Sequence, residues 1–198
     1  MVGIRRGRHT PNKASLGILG LVAALVLGVF VISPTVGSAA SSASTSVQTR
    51  YSPLGAIASG PAGPATAKLT VAPYCCPSSA VVLTPQQVIT DRDSQGMNLG
   101  LPSDNTSVSA VEVCYAVLSA TVGRTYISQT RVTDMTLPNS ALVSFEDNTD
   151  RTAVGPACYT MPAHITPTGA MTLRLSVVFG STADRITIGM VKLTGQSE

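Results

Sequence analysis

Acidic residues at alternate positions are the first candidates for chemistry in this chain. Residues 91–96 (DRDSQG) begin like a calcium loop, with carboxylate oxygens two residues apart and a glycine for the turn. The position that should supply a bidentate glutamate holds Pro102, so the segment is not an EF-hand. Asp91 and Asp93 are therefore candidate ligands of another kind of calcium loop, and an ordinary polar turn is the alternative.

A second acidic cluster follows a predicted strand. Glu146, Asp147 and Asp150 lie within five positions of one another, and carboxylates are the oxygen ligands that calcium prefers. They are candidate calcium ligands, with a solvated turn as the alternative. No other cofactor is suggested by the sequence.

The sequence offers few candidate residues for a hydrolytic active site. His164 is the only histidine beyond His9, so a histidine general base would have to be that residue. It lies between Pro162 and Pro167 in a predicted loop. The chain has no G-x-S-x-G nucleophile elbow, and a glycosidase would need two distant acids to meet in space. We therefore expect no enzyme.

Sugar binding usually relies on an aromatic platform, and the chain has no tryptophan. Tyr115, Tyr126 and Tyr159 lie within predicted strands, where packing into the core is the expected role. Carbohydrate recognition would then use calcium or polar loops.

The four cysteines predict a disulfide framework. Cys75, Cys76, Cys114 and Cys158 form an even set, which in an oxidising compartment allows three connectivities. Cys75 could pair with Cys76 and leave Cys114–Cys158 as an inter-strand link, or each of the adjacent pair could reach one of the later two. Adjacent cysteines lack the C-x-x-C spacing that zinc favours.

The N-terminus predicts export. Basic residues at positions 5, 6, 8 and 13 precede an apolar run at 14–32, the order found in secretory signals and membrane anchors. As a helix the run would span about 28 Å, close to the thickness of a hydrocarbon core. Small residues allow cleavage after Ala39 or Ala40. We expect residues 1–40 to be a signal peptide or single-pass anchor, and the protein to be secreted or at the cell surface. Residues 14–32, if uncleaved, would be its only membrane contact.

The formal net charge of +3 comes from this leader. Residues 1–39 hold four basic residues and no acidic one, which leaves nine basic and ten acidic residues elsewhere. Without a basic stripe to neutralise phosphates, we expect no nucleic-acid partner.

Composition divides the rest of the chain. In residues 33–67, 28 of 35 positions are Ala, Ser, Gly, Pro or Thr, and such a segment buries too little apolar area to offset its ordering entropy. We therefore predict a flexible linker at 41–67 and a folded domain at 68–194.

Within that domain the hydrophobic period is two. Apolar side chains alternate at 111–117 and 171–179, as in strands with one buried face. Further candidate strands are 68–72, 80–83, 87–90, 125–132, 141–145, 157–161 and 185–193. The pattern of the last strand slips at Gly189, which predicts a bulge there.

Eight to ten short strands without a helix after the leader predict an all-β fold. We expect an antiparallel two-sheet β-sandwich of jelly-roll type, and the strand rhythm is similar to that of galactose-binding-like jelly rolls. The expected function is non-catalytic binding of a surface ligand or protein partner, with carbohydrate as the candidate ligand. The alternatives are a membrane-anchored or self-assembling surface subunit and a small secreted hydrolase.

Overall fold

Two antiparallel β-sheets make up the part of the chain that the computed structural model describes, residues 46–75, 78–103, 107–137 and 140–196. These ranges contain no α-helix, only short 3-10 turns at Pro53–Gly55, Pro64–Thr66 and Asp91–Asp93. The strands are β1 (Ser46–Tyr51), β2 (Ile57–Ser59), β3 (Leu69–Pro73), β4 (Val81–Pro85), β5 (Gly96–Leu101), β6 (Ser107–Leu118), β7 (Tyr126–Leu137), β8 (Ser140–Asp147), β9 (Gly155–Ile165), β10 (Ala170–Val178) and β11 (Arg185–Gln196).

The strand order brings distant segments together. A six-stranded sheet has the order β3-β4-β11-β6-β9, with β1 pairing the second half of β11. A five-stranded sheet has the order β2-β5-β10-β7-β8. Neighbouring strands such as β10 and β5 are thus far apart in sequence, and side chains from different parts of the chain meet on one face.

Alternation in the sequence explains which side chains are buried. From Val111 to Val117 in β6 and from Met171 to Val177 in β10 every second residue is buried and the residues between them are partly exposed, because successive side chains of a strand point to opposite faces. The core lies between the two sheets and contains large side chains from both, including Leu83, Met97, Ile127, Leu173, Phe179 and Ile186. The prediction of an all-β fold with two antiparallel sheets is confirmed; the apolar segment at 14–32 lies outside the described residues.

The expected flexible linker does not hold from Ser46 onward. Ser46–Tyr51 pairs with β11 along its whole length, and Ile57–Ser59 pairs with β5. Residues 46–50 are exposed, so this strand needs backbone hydrogen bonds rather than buried side chains. Amino-acid composition therefore did not identify where the folded region begins, which is before residue 68.

Two strand predictions also differ from the structure. Residues 87–90 form no strand, and Ile89 makes only an isolated bridge to Phe179. The sequence predicts no strand over Gly96–Leu101, but these residues form β5, where the backbone of Gly96 approaches β10 so closely that a Cβ would lie 2.1 Å from the Leu175 carbonyl oxygen. The predicted bulge is confirmed, since the register with β6 shifts between Ile188 and Met190.

One disulfide joins neighbouring strands of the six-stranded sheet. Cys114 of β6 lies directly opposite Cys158 of β9, and the two are bonded. The alternative in which Cys75 and Cys76 each reach one of these cysteines is therefore wrong. Cys75 is an exposed free thiol, and Cys76 lies outside the described residues.

No helix among the described residues has the length and apolar character needed to cross a membrane.

Candidate functional site

A groove with both polar and apolar lining runs across the outer face of the five-stranded sheet. Five outward-facing residues, one from each strand, lie in register and cross the sheet as a central row in the order Ile57, Asn98, Arg174, Arg131 and Glu146. Their chain neighbours on β5, β7 and β10 are buried in the core, so the strand alternation itself directs this row outward.

The groove has two segments that share Arg131. One, with a cavity volume of about 500 Å³, extends from the central row past Thr172 and Thr133 toward Leu137. The other, with a cavity volume of about 430 Å³, extends past Ser176 and Gln129. Its far end is bordered by loop residues Asp91, Ser94, Asn148 and Asp150. The groove thus presents hydroxyl, amide and guanidinium groups along one surface.

An ion pair and a set of hydrogen bonds hold one side of the groove. The Nε of Arg131 lies 2.8 Å from a carboxylate oxygen of Glu146. The amide nitrogen of Gln129 donates to Asn148 (2.7 Å) and to Glu146 (3.2 Å), and its amide oxygen accepts from the Ser176 hydroxyl. Because each of these side chains is held by another, the surface is preorganised.

Arg174 is positioned differently, at the centre of the sheet. One Nη donates to the Ser94 carbonyl oxygen (2.7 Å) and the other to the Ser59 hydroxyl (3.4 Å). Burial, and after it the charge of Arg131, lowers the pKa of Arg174. Beside it, the Asn98 Oδ1 atom is buried and has no hydrogen-bond partner among the described residues. Arg174 thus keeps N–H donors that no described residue engages, and Asn98, which also borders the groove, keeps an unused buried acceptor.

A buried carboxylate anchors the loop at the Leu137 end of the groove. Asp134 points into the core and accepts hydrogen bonds from the backbone N–H and hydroxyl of Thr168 (2.9 Å each) and from the Gly169 N–H (3.0 Å). Burial alone would raise the pKa of Asp134, but these hydrogen bonds and one from the Met135 backbone outweigh it and lower the pKa. The β9–β10 connection is thereby tied to β7.

The first pair of calcium candidates is already engaged by protein groups. Asp93 accepts hydrogen bonds from Lys68 (2.6 Å) and from the backbone and hydroxyl of Thr90, and these contacts lower its pKa to about 2. Asp91 accepts a hydrogen bond from the Tyr126 hydroxyl. The segment thus contains the short 3-10 turn with a capping box, as in the polar-turn alternative.

The side chains of the second set of calcium candidates do not converge on one point. Glu146 faces the groove and pairs with Arg131, whereas Asp147 is partly buried, pairs with Arg151 and accepts from the Thr149 N–H. Burial opposes ionisation of Asp147, but its hydrogen bonds and the Arg151 charge lower its pKa. Asp150 borders the end of the groove together with Asp91.

No candidate calcium ligands gather into a ligand set within the described residues. The one group of three potential ligand side chains there is Glu112, Cys114 and Cys158. Both of its sulfur atoms belong to the disulfide, so they are not thiolate ligands. Calcium binding by Asp91, Asp93, Glu146, Asp147 or Asp150 stays a prediction without geometric support.

His164 lies in strand β9 rather than in the loop predicted from its flanking prolines. It is exposed on the six-stranded sheet, beside a cavity of about 260 Å³ bordered by Ser109 and Thr166. No carboxylate of the described residues contacts it. The structure therefore provides no partner that would orient it as a general base.

Two of the three strand tyrosines pack in the core, as expected. Tyr115 and Tyr159 meet edge to face with ring centroids 5.8 Å apart, and the Arg151 guanidinium lies 4.3 Å from the centroid of the Tyr159 ring. Tyr126 is half-buried, and burial together with the Asp91 hydrogen bond raises its pKa to about 12. None of the three forms a stacking platform on the groove floor.

The outer face of the six-stranded sheet has a different lining. Its cavity of about 330 Å³ lies against the disulfide and is bordered by small or apolar groups that include Ala116, Pro156 and Gly189. It offers few hydrogen-bonding side chains.

Sequence reasoning selected three acidic residues at the groove, Asp91, Asp150 and Glu146, but none of its arginine, amide or hydroxyl side chains. Arg174 and Ser176 occupy the outward positions of a correctly predicted strand, which was the available signal. Their meeting with Arg131, Gln129 and Asn98 depends on strand pairing that the hydrophobic pattern does not specify.

No protein-family model matches the chain, and no curated protein matches it. Solved structures similar to it include a mutant family 29 carbohydrate-binding module complexed with cellulohexaose (12% identity, TM-score 0.48, covering 75% of this chain and 91% of that one). Another is a carbohydrate-binding module of the same family (13% identity, TM-score 0.41, covering 75% and 89%). A third is the enzymatically active domain of tailspike protein 4 of bacteriophage CBA120 (14% identity, TM-score 0.42, covering 76% and 19%).

Proposed function

We propose that this protein is an exported, non-catalytic β-sandwich module that binds an oligosaccharide in the groove of its five-stranded sheet. The single observation that carries the proposal is the groove itself. It crosses a rigid sheet, extends beyond the size of one small ligand, and is lined by side chains that can donate and accept hydrogen bonds. The hydroxyl groups of a sugar both donate and accept hydrogen bonds, and they recur along an extended oligosaccharide.

The arrangement favours polar recognition over aromatic stacking. Thr133 and Thr172 lie on one side of the central row, and Ser176 and Gln129 on the other. Exposed Met135 and Leu137 near the end supply apolar contacts for sugar rings. Because the lining is preorganised, little side-chain entropy is lost when a ligand binds.

Binding without turnover is supported by the state of the acids in the groove. Glu146 is paired with Arg131, and Asp91 and Asp150 are exposed. Asp91 also accepts the Tyr126 hydrogen bond.

Export and the finer fold type are part of the same proposal. The basic flank and apolar run of residues 1–40 support secretion or membrane anchoring, and the Cys114–Cys158 disulfide is typical of an oxidising compartment. A jelly roll is supported by the order β4-β11-β6-β9 in one sheet and β5-β10-β7-β8 in the other. Counted from β4, these are strands 1-8-3-6 and 2-7-4-5 of an eight-stranded sandwich.

The test is binding of the oxidised full-length protein to an array of oligosaccharides, followed by calorimetry on the best binder. We expect Gln129→Ala to weaken binding, because it removes a side chain that faces the groove and holds Asn148. Thr187→Ala, on the outer face of the six-stranded sheet, is the matched control and should bind like the unchanged protein. Absence of binding to every glycan, with the fold intact by circular dichroism, would refute the proposal.

A further inference from the structure

The charges in the central row point to the chemical class of the ligand. Arg174 of β10 and Arg131 of β7 are directly opposite each other in the antiparallel ladder. Directly opposed side chains have Cβ atoms about 5 Å apart, and like charges in that position destabilise a sheet. The lowered pKa of Arg174, which comes from burial and then from the Arg131 charge, is consistent with that closeness.

Only one of these two charges is neutralised. Arg131 has Glu146 at 2.8 Å. Among the described residues Arg174 contacts the Ser94 carbonyl and the Ser59 hydroxyl but no carboxylate. Because Arg174 is half-buried in a central strand, water also screens it less than a surface charge. The groove therefore holds one uncompensated positive charge at its centre.

The neighbouring groups suit an anion with two or more oxygens. A guanidinium presents a planar fork of N–H donors that matches a carboxylate or a sulfate. Asn98 lies directly opposite Arg174 on its other side, with Oδ1 buried and unpartnered among the described residues. Because this oxygen only accepts hydrogen bonds, it can meet a hydroxyl of the sugar that carries the acidic group but not the anion itself.

The negative charge of the ligand must be confined to one unit of the chain. Asp91 and Asp150 border the far end of the groove beyond Gln129, and they would repel a chain with a negative charge on every unit. A nucleic acid or a uniformly acidic polymer is therefore disfavoured, while an isolated acidic unit flanked by neutral units fits.

We infer that the groove recognises an oligosaccharide carrying a single acidic group, a carboxylate or a sulfate ester, which lies between Arg131 and Arg174 beside Asn98. The inference rests on the proposed function of the groove and adds the chemical class of its ligand. Neutral sugar units would lie on the hydroxyl and amide groups on either side. Because a charged pair contributes, affinity should fall as ionic strength rises.

The experiment compares matched pairs on a glycan array: neutral oligosaccharides and the same oligosaccharides bearing one uronic acid, one sialic acid or one sulfate. We expect the acidic member of at least one pair to bind about tenfold more tightly than its neutral parent, a difference that corresponds to about 1.4 kcal/mol. The uronic acid, sialic acid and sulfate arms identify which acidic group is bound.

Arg174→Gln should remove this preference, so that the acidic oligosaccharide and its neutral parent bind the variant equally tightly. Arg50→Gln is the matched control, since Arg50 is an exposed arginine of β1 in the other sheet. Equal or weaker binding of every acidic member would overturn the inference and leave the proposed function standing. Failure of all glycans, neutral and acidic, would overturn both.

Discussion

The outer faces of the two sheets carry the same three charges in different surroundings. In the six-stranded sheet Arg50, Lys192 and Glu112 lie in register across β1, β11 and β6, and Lys192 is 2.7 Å from Glu112. In the five-stranded sheet Arg174, Arg131 and Glu146 follow the same order. Each row therefore has one paired cation and one extra cation.

The difference lies in where the extra cation is placed. Arg50 is exposed on β1, a strand that pairs only with β11 among the described strands, so water solvates its charge. Arg174 is half-buried in β10, between β5 and β7, and faces a groove lined by polar groups. The same pattern of charges therefore indicates a binding site only where the extra cation lies in a central strand and faces a groove.

The largest stability effect should come from the six-stranded sheet. Replacing Cys114 and Cys158 together by serine removes a link across 44 residues of chain, for which the chain-entropy model gives about 4 kcal/mol. We expect the free energy of unfolding in urea to fall by that order. Glycan affinity at a temperature where the variant is folded should stay unchanged, because the disulfide lies on the opposite sheet from the groove. Loss of affinity in the folded variant would break the division between the two faces.

The next effect concerns the buried carboxylate beneath the groove. Asp134→Asn weakens the hydrogen bonds from Thr168 and Gly169, and we expect it to cost about 2 kcal/mol of unfolding free energy.

The same carboxylate predicts a pH dependence. Its folded pKa is below the ordinary value, so its contribution is present above the unfolded pKa of about 3.9 and is lost as pH falls through the folded pKa. The unchanged protein should lose stability below about pH 4, and Asp134→Asn should show a shallower loss in urea titrations over that range. An equal slope in both proteins would contradict the assignment.

The smallest effect separates the two charge rows directly. Lys192→Gln leaves the partly buried Glu112 without its partner and should lower the unfolding free energy by about 1 kcal/mol. Arg131→Gln removes a more exposed ion pair but also relieves repulsion with Arg174, so the change should be smaller than about 0.5 kcal/mol. Thermal unfolding of the two variants side by side tests the order, and a larger loss for Arg131→Gln would reverse it.

Prediction from sequence succeeded where a side chain had to be buried. The alternation around Val113 in β6 and Leu173 in β10 was sufficient to find both strands, and the slip at Gly189 located a bulge. It failed for β1, whose residues are mostly exposed, and for β5, where Met97, Leu99 and Leu101 alternate but follow a segment that resembles a calcium loop.

The candidate site was less accessible to prediction than the fold. The acidic residues attracted attention because carboxylates at short spacing suggest a metal site, yet Asp93 bonds Lys68 and Thr90, and Asp147 bonds Arg151. The arginines of the groove are 43 positions apart in sequence and carry no motif. Each arginine becomes a candidate site residue only when the strand pairing shows that the other lies directly opposite it.

By itself the sequence determined that the domain is all-β, since a hydrophobic period of two is typical of strands with one buried face. It also indicated that Arg174 would point outward, because Arg174 lies between Leu173 and Leu175 in an alternating strand, whereas Arg131 follows a threonine and carries no such signal. Only the tertiary structure decided that these two side chains oppose each other beside Asn98. Register and strand order depend on long-range pairing between β5, β7 and β10, and local alternation is the same for every partner a strand could have.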